Sequence, residues 1–224
     1  MSDPIQLTLT FEHRTSLSGE DFLIAPCNRE AVQWLDRWQS WPSPVLVLYG
    51  PAGCGKTHLT HVFLAATGGR DITDEFSHDD DPSAYLSQSG AFVVEGIEAL
   101  LADGSDEKLF HLYNVARELD AKILFTAESP PSRWETKLPD LASRFKAATA
   151  IGIGPPEDEL IGALLVKHFS DRQLKVDEDV IPYVLARMER SFEAARDVVS
   201  KADALALSKH RNITIPLMRQ VFKT

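Results

Sequence analysis

Gly50-Pro51-Ala52-Gly53-Cys54-Gly55-Lys56-Thr57 fits the pattern Gly-x4-Gly-Lys-[Ser/Thr] of a phosphate-binding loop. The flanks give it the strand–loop–helix context that such a loop needs. Upstream, Val45-Leu46-Val47-Leu48-Tyr49 is a continuous apolar run, as expected of a buried parallel strand. Downstream, Leu59, Val62, Phe63 and Ala66 recur at helical spacing. A polyphosphate is wrapped by backbone N–H groups, and side chains at Gly53 or Gly55 would hold the backbone away from it. Lys56 then supplies a cation to the outer phosphates, Thr57 offers a hydroxyl to Mg²⁺, and the helix N-terminus, where His58 follows, favours the anion.

The totals narrow the class. A chain of 224 residues with 44% hydrophobic residues has enough material for one large domain, or a domain with a small appendage. Two cysteines, Cys27 and Cys54, have neither metal-site nor disulfide spacing, so a reducing cytoplasm is the expected setting. No apolar run approaches the length of a membrane span, and Met1-Ser2-Asp3-Pro4 lacks a basic leader, so neither membrane nor secretion is expected. A net charge of −10 repels polyanions and argues against broad DNA binding by the chain alone.

Other stretches leave alternatives open. Gln6-Leu7-Thr8-Leu9-Thr10-Phe11 alternates with period two, which suits an edge strand or an extended tail that plugs a partner's pocket. Glu12 to Ser18 reads as a polar linker. Phe22 and Ile24 could flank an adenine base or belong to the core, and Asn28 suits the cap of a helix carrying Ala31, Val32, Leu35 and Trp38. Residues 68–89, with the run His78-Asp79-Asp80-Asp81, read as mostly exposed loop with at most a short strand or helix. Ala91 to Val94 is a second buried strand. Glu95 stands at its end, where a carboxylate reaches Mg²⁺, while Gly96 occupies the next position and Glu98 lies three residues on. A helix over 106–119 and a strand over 122–127 follow; Thr126 either faces the γ-phosphate or is a satisfied strand-end hydroxyl. In Leu138-Pro139-Asp140-Leu141-Ala142-Ser143-Arg144, the arginine is either a surface cation or a finger reaching a neighbour's nucleotide. A last strand over 149–153 is closed by Pro155-Pro156, and the pattern then becomes purely helical: 157–169, 177–187, 191–208 and a helix capped by Thr214. Alternation of strand and helix gives an α/β fold, a parallel sheet flanked by helices, followed by a small all-helical lid. The expected domains are 1–18 tail and linker, 19–155 P-loop domain and 156–224 lid.

With these residues assembled, the chain resembles the DnaA/Hda family of AAA+ ATPases, and within it the regulators that inactivate the replication initiator DnaA. The resemblance is carried by Asp21-Phe22 with Asn28-Arg29, the phosphate loop, Val94-Glu95, Leu138 to Arg144, and Arg211-Asn212-Ile213-Thr214-Ile215-Pro216. It implies nucleotide binding by Gly50 to His58 with Phe22, Ile24 and Asn28, and Mg²⁺ held by Thr57 and Glu95. It implies that Gln6, Leu7, Leu9 and Phe11 bind the β subunit of the replicative sliding clamp. Arg144 falls on the arginine-finger position, so the family's pattern implies that it acts in trans on ATP bound to DnaA. No DNA-binding domain is expected after Thr224, and a homo-oligomer is compatible with the family.

Two departures bear on activity. Gly96 replaces the catalytic carboxylate of active AAA+ sites, and Glu193 stands at the lid's sensor arginine position, with Arg190 or Arg196 as neighbours that could substitute. Weak or no intrinsic ATPase is therefore expected, with ADP or ATP as the bound ligand. The implied role is negative regulation of replication initiation, by stimulating ATP hydrolysis on DnaA. An independent P-loop ATPase using Glu95 or Glu98, and an adaptor delivering initiator or helicase to DNA, are the alternatives.

Overall fold

The structure is a computed structural model and describes residues 12–15, 21–78, 81–86, 90–177, 179–209 and 212–223. Gln6, Leu7, Leu9 and Phe11, expected from the resemblance to bind a clamp, and Arg211 lie outside them. Strands β1 (Glu12–Thr15) and β2 (Asp21–Ile24) form a two-stranded sheet, so part of the segment expected to be linker is a strand. Then follow α1 (Arg29–Asp36), β3 (Val45–Tyr49), α2 (Lys56–Thr67), β4 (Arg70–Asp71), α3 (Thr73–His78), α4 (Ser83–Leu86), β5 (Ala91–Val94), α5 (Ile97–Ala102), α6 (Asp106–Glu118), β6 (Lys122–Ala127), α7 (Pro139–Ala147) and β7 (Thr149–Gly152). The helices α8 (Asp158–Asp171), α9 (Val180–Leu185), α10 (Phe192–Lys209) and α11 (Ile215–Val221) complete the chain.

The main sheet has the order β4-β5-β6-β3-β7, with parallel pairing throughout. β3 is central, and its apolar run is continuous because both faces are covered. Val45 and Val47 pack with Phe92, Val94, Ile123 and Phe125 beneath α5, α6 and α7. Leu46 and Leu48 point the other way, to Val93, Leu124 and Ile151 beneath α1 and α2. There Trp41 stacks on Phe63 with ring centres 5.7 Å apart. Residues 68–78 and 81–86 carry more structure than their polar composition suggests. Ile72, Phe76, Tyr85 and Leu86 are buried in the first of these layers, so β4, α3 and α4 add to the core while the charges face out.

Residues 13–154 form one compact unit and 155–224 another. The second has its own apolar core, with Ile161, Leu165 and Phe169 of α8 against Val180 and Val184 of α9, Val199 and Ala202 of α10, and Met218 of α11. Thr214 sits at the N-cap of α11 without a side-chain cap bond, and Pro216 occupies the first turn, where its missing N–H costs nothing. No helix among the described residues is long and apolar enough to cross a membrane.

Candidate nucleotide-binding site

β3 ends at Tyr49, and six residues later the chain enters α2, so Gly50 to Gly55 form the turn between them. Gly53 and Gly55 have φ of 71° and 98°, the left-handed region that a Cβ makes costly. These two glycines let the loop curl tightly, with the Cys54 N–H donating to the Pro51 carbonyl at 3.3 Å, and a curled loop before a helix N-terminus is the backbone form that cradles phosphate. Cys54 is buried in the core layer against Gly50, and burial pushes its thiol pKa up against the lowering pull of the Lys56 charge. Lys56 Nζ donates to the carbonyls of Gly50 (2.7 Å) and Pro51 (3.0 Å), which places its charge at the loop mouth.

The acidic side of the site converges on α2. Glu95 follows β5, and its carboxylate accepts bonds from the hydroxyls of Thr57 (3.3 Å) and Thr60 (2.7 Å). A hydroxyl and a carboxylate beside a phosphate cradle form a donor set that suits a hard divalent cation held largely by nucleotide and water. Groups of three or more His, Cys, Asp or Glu able to cage a metal are absent among the described residues. The Thr57–Glu95 pair, with the curled loop, fits Mg²⁺ brought in with a nucleotide and no dedicated metal cage.

Two further threonines fix the backbone beside Glu95. The Glu95 N–H donates to Thr73 Oγ1 (2.9 Å), and the Gly96 N–H donates to Thr126 Oγ1 (3.1 Å). Thr126 is thus buried and satisfied at the end of β6. Gly96 has φ of 69° and precedes α5. Glu98 is engaged with the segment after β6: it accepts the N–H of Glu128 (2.9 and 3.0 Å) and both the N–H (2.7 Å) and hydroxyl (3.0 Å) of Ser129.

On the expected base side, Ile24 is half-buried and packs on the α1–α2 layer. Phe22 lies in β2, and its side chain is outside the described set. Asn28 is at the N-cap position of α1, yet no side-chain cap bond forms; its Oδ1 accepts the N–H of Ala25 (2.9 Å), closing the turn before the helix. Pro51 and Ala52 are exposed on the loop, and His58 is half-buried in the first turn of α2.

Arg144 is on α7, half-buried, with its guanidinium carbon 4.4 Å from the Phe110 ring centre and 4.9 Å from that of Tyr113. Its Nη1 donates to Asn114 Oδ1. These partners are neutral, and none of the described residues makes an ion pair with it. In the helical unit, Arg190 donates to Asp158 through Nε (2.9 Å) and Nη2 (3.2 Å), while Glu193 and Arg196 are exposed. Both partners of this ion pair lie within the helical unit and are about half exposed. Sequence reasoning missed Thr60, Thr73 and Asn114. Only Thr60 carried a usable signal, because it lies three residues after Thr57 on one helix face.

Residues 158–222 match the family model described as "Hda, lid domain". The chain is 24% identical over 202 residues to the chromosomal replication initiator protein DnaA of Cutibacterium acnes, covering 80% of this chain and 39% of that protein. It is 25% identical over an alignment of 246 positions to DnaA of Thermomicrobium roseum, covering 96% of this chain and 52% of that one. The chain thus spans about half the length, or less, of these curated relatives. Among solved structures, domain III of the Thermotoga maritima replication initiation protein DnaA superimposes with a TM-score of 0.76 at 16% identity, covering 90% of this chain and 93% of that chain. AMPPCP-bound DnaA from Aquifex aeolicus gives 0.67 at 19% identity, covering 87% and 65%.

Proposed function

We propose that this chain, whose C-terminal residues match the Hda lid model and whose length aligns with DnaA, is an AAA+ protein of the DnaA/Hda family that regulates chromosomal replication initiation by stimulating ATP hydrolysis on DnaA. Its own P-loop binds ADP or ATP through Gly50 to His58, and the bound nucleotide sets the conformation of the subunit. Thr57 and Glu95 would hold Mg²⁺ there, where it neutralises phosphate charge. Gln6, Leu7, Leu9 and Phe11 tether the protein to the sliding clamp as an extended peptide. Arg144 enters the nucleotide site of DnaA and stabilises the charge that develops on the transferring phosphate.

The observation that carries this reading is the setting of Arg144. A guanidinium stacked on two rings and bonded to an amide oxygen is held in place while no carboxylate among the described residues pairs with it. A structural arginine facing a carboxylate would be neutralised. Gly96 and the engaged Glu98 likewise argue for slow turnover at this chain's own site.

The test measures hydrolysis of DnaA-bound ATP with clamp loaded on DNA. Wild type is expected to stimulate it. Gln6→Ala should lose stimulation together with clamp binding, and Arg144→Ala should lose it with clamp binding intact. Normal stimulation by both variants overturns the assignment, and fast ATP turnover by the isolated protein favours an independent ATPase.

A further inference from the structure

Thr60 is a buried polar residue, only 1% exposed, one turn along α2 from Thr57. Its hydroxyl has one proton and two acceptors in reach: the Thr57 carbonyl at 2.8 Å and Glu95 Oε1 at 2.7 Å. A carboxylate is the stronger acceptor, since charge-assisted bonds are about twice as strong as neutral ones. Glutamate also has one more rotatable bond than aspartate, so an untethered Glu95 would spread its carboxylate over several rotamers. Its backbone is already pinned through Thr73 Oγ1 and, one residue on, through Thr126 Oγ1. The carboxylate is the part left to fix, and the two hydroxyls of α2 take one oxygen each.

We infer that Thr60 is a positioning residue for Glu95: it holds one carboxylate oxygen so that the other is presented beside Thr57, preorganising the Mg²⁺ side of the phosphate site. This deepens the reading of the P-loop as a Mg²⁺–nucleotide site and depends on it. Outer-shell hydrogen bonds of this kind typically change metal affinity by about tenfold to a hundredfold when removed.

The experiment titrates mant-ADP binding to the full chain across Mg²⁺ concentration, with a parallel arm in EDTA. Thr60→Val keeps the side-chain shape and deletes the hydroxyl. It is expected to raise the Mg²⁺ concentration for half-maximal effect about tenfold, while binding in EDTA stays within about twofold of wild type. Thr60→Ser should restore the wild-type Mg²⁺ requirement, and adding Thr60→Val to Glu95→Gln should change nothing further, because the bond's partner is already altered. An unchanged Mg²⁺ requirement in Thr60→Val overturns the proposal, as does an equal loss with and without Mg²⁺, which would make Thr60 a packing residue of the loop. Absence of mant-ADP binding by wild type would instead sink the nucleotide-site reading itself.

Discussion

Glu98 and Ser129, 31 residues apart in the chain, are joined by two hydrogen bonds: the carboxylate oxygen Oε1 takes the Ser129 N–H at 2.7 Å and its hydroxyl at 3.0 Å. Glu98 sits in the first turn of α5, directly after the Glu95-Gly96 end of the acidic strand, so the segment leaving β6 hangs from the nucleotide side of the domain. The connection continues. The Ser129 carbonyl accepts the Trp134 indole N–H at 2.9 Å, and Trp134 meets Phe145 edge-on with ring centres 5.0 Å apart. Phe145 is the neighbour of Arg144 on α7.

Removing this anchor should loosen the 128–134 segment and α7 together. Glu98→Ala leaves the N–H groups of Glu128 and Ser129 without their carboxylate, at a cost of about 1 kcal/mol because water reaches the exposed Glu128 bond. Urea unfolding measures that loss, and hydrogen exchange should show faster opening over 128–147 with nucleotide affinity at the P-loop nearly unchanged. Slower or unaltered exchange there would contradict the role given to Glu98.

Gly96 is the place to test why this site should turn over slowly. Nothing lies within 4 Å of where a Cβ would stand, so a side chain has room, and the obstacle is the φ of 69°. Aspartate tolerates that region better than most residues, and the expected cost is about 1 kcal/mol. Gly96→Asp is therefore expected to fold with slightly reduced stability and to raise basal ATP hydrolysis in a phosphate-release assay, by returning a carboxylate to the place from which water is polarised.

The helical unit should lose stability in mild acid. His168 on α8 has its Nε2 buried without a hydrogen-bond partner among the described residues. Burial lowers its pKa below the ordinary 6.5, helped by the charges of Arg172, Lys167 and Arg196 and opposed by Asp171. The folded state thus resists a proton that the unfolded chain accepts. The stability tied to neutral His168 is complete above pH 6.5 and drains away as pH falls from there through the lowered folded value. Denaturant melts of residues 155–224 within the full chain, followed by hydrogen exchange, should show this slope. His168→Gln should flatten it, since glutamine does not titrate.

What the sequence by itself determined is local. The phosphate loop was legible because glycine is required wherever φ is positive, and Gly53 and Gly55 have that geometry. The central strand, the helical faces and the change to an all-helical lid were legible because burial repeats with the period of each element. In 68–89, read as mostly exposed loop with at most a short strand or helix, the buried share of Ile72, Phe76, Tyr85 and Leu86 went unseen because two-residue β4 and four-residue α4 are too short to show a period.

Tertiary structure alone decided which polar groups meet. Thr60 lies 35 residues from Glu95, Glu98 31 from Ser129, and Arg144 30 from Asn114. Each pairing depends on the strand register that sets β5 beside β6 and β6 beside β3, with α5, α6 and α7 packed on one face of them. Register is fixed by the packing of the whole sheet, and no window of neighbouring residues contains it. For that reason the bonds from Glu98 to the segment after β6 were invisible in the sequence, where it read as an acidic residue three positions past Glu95.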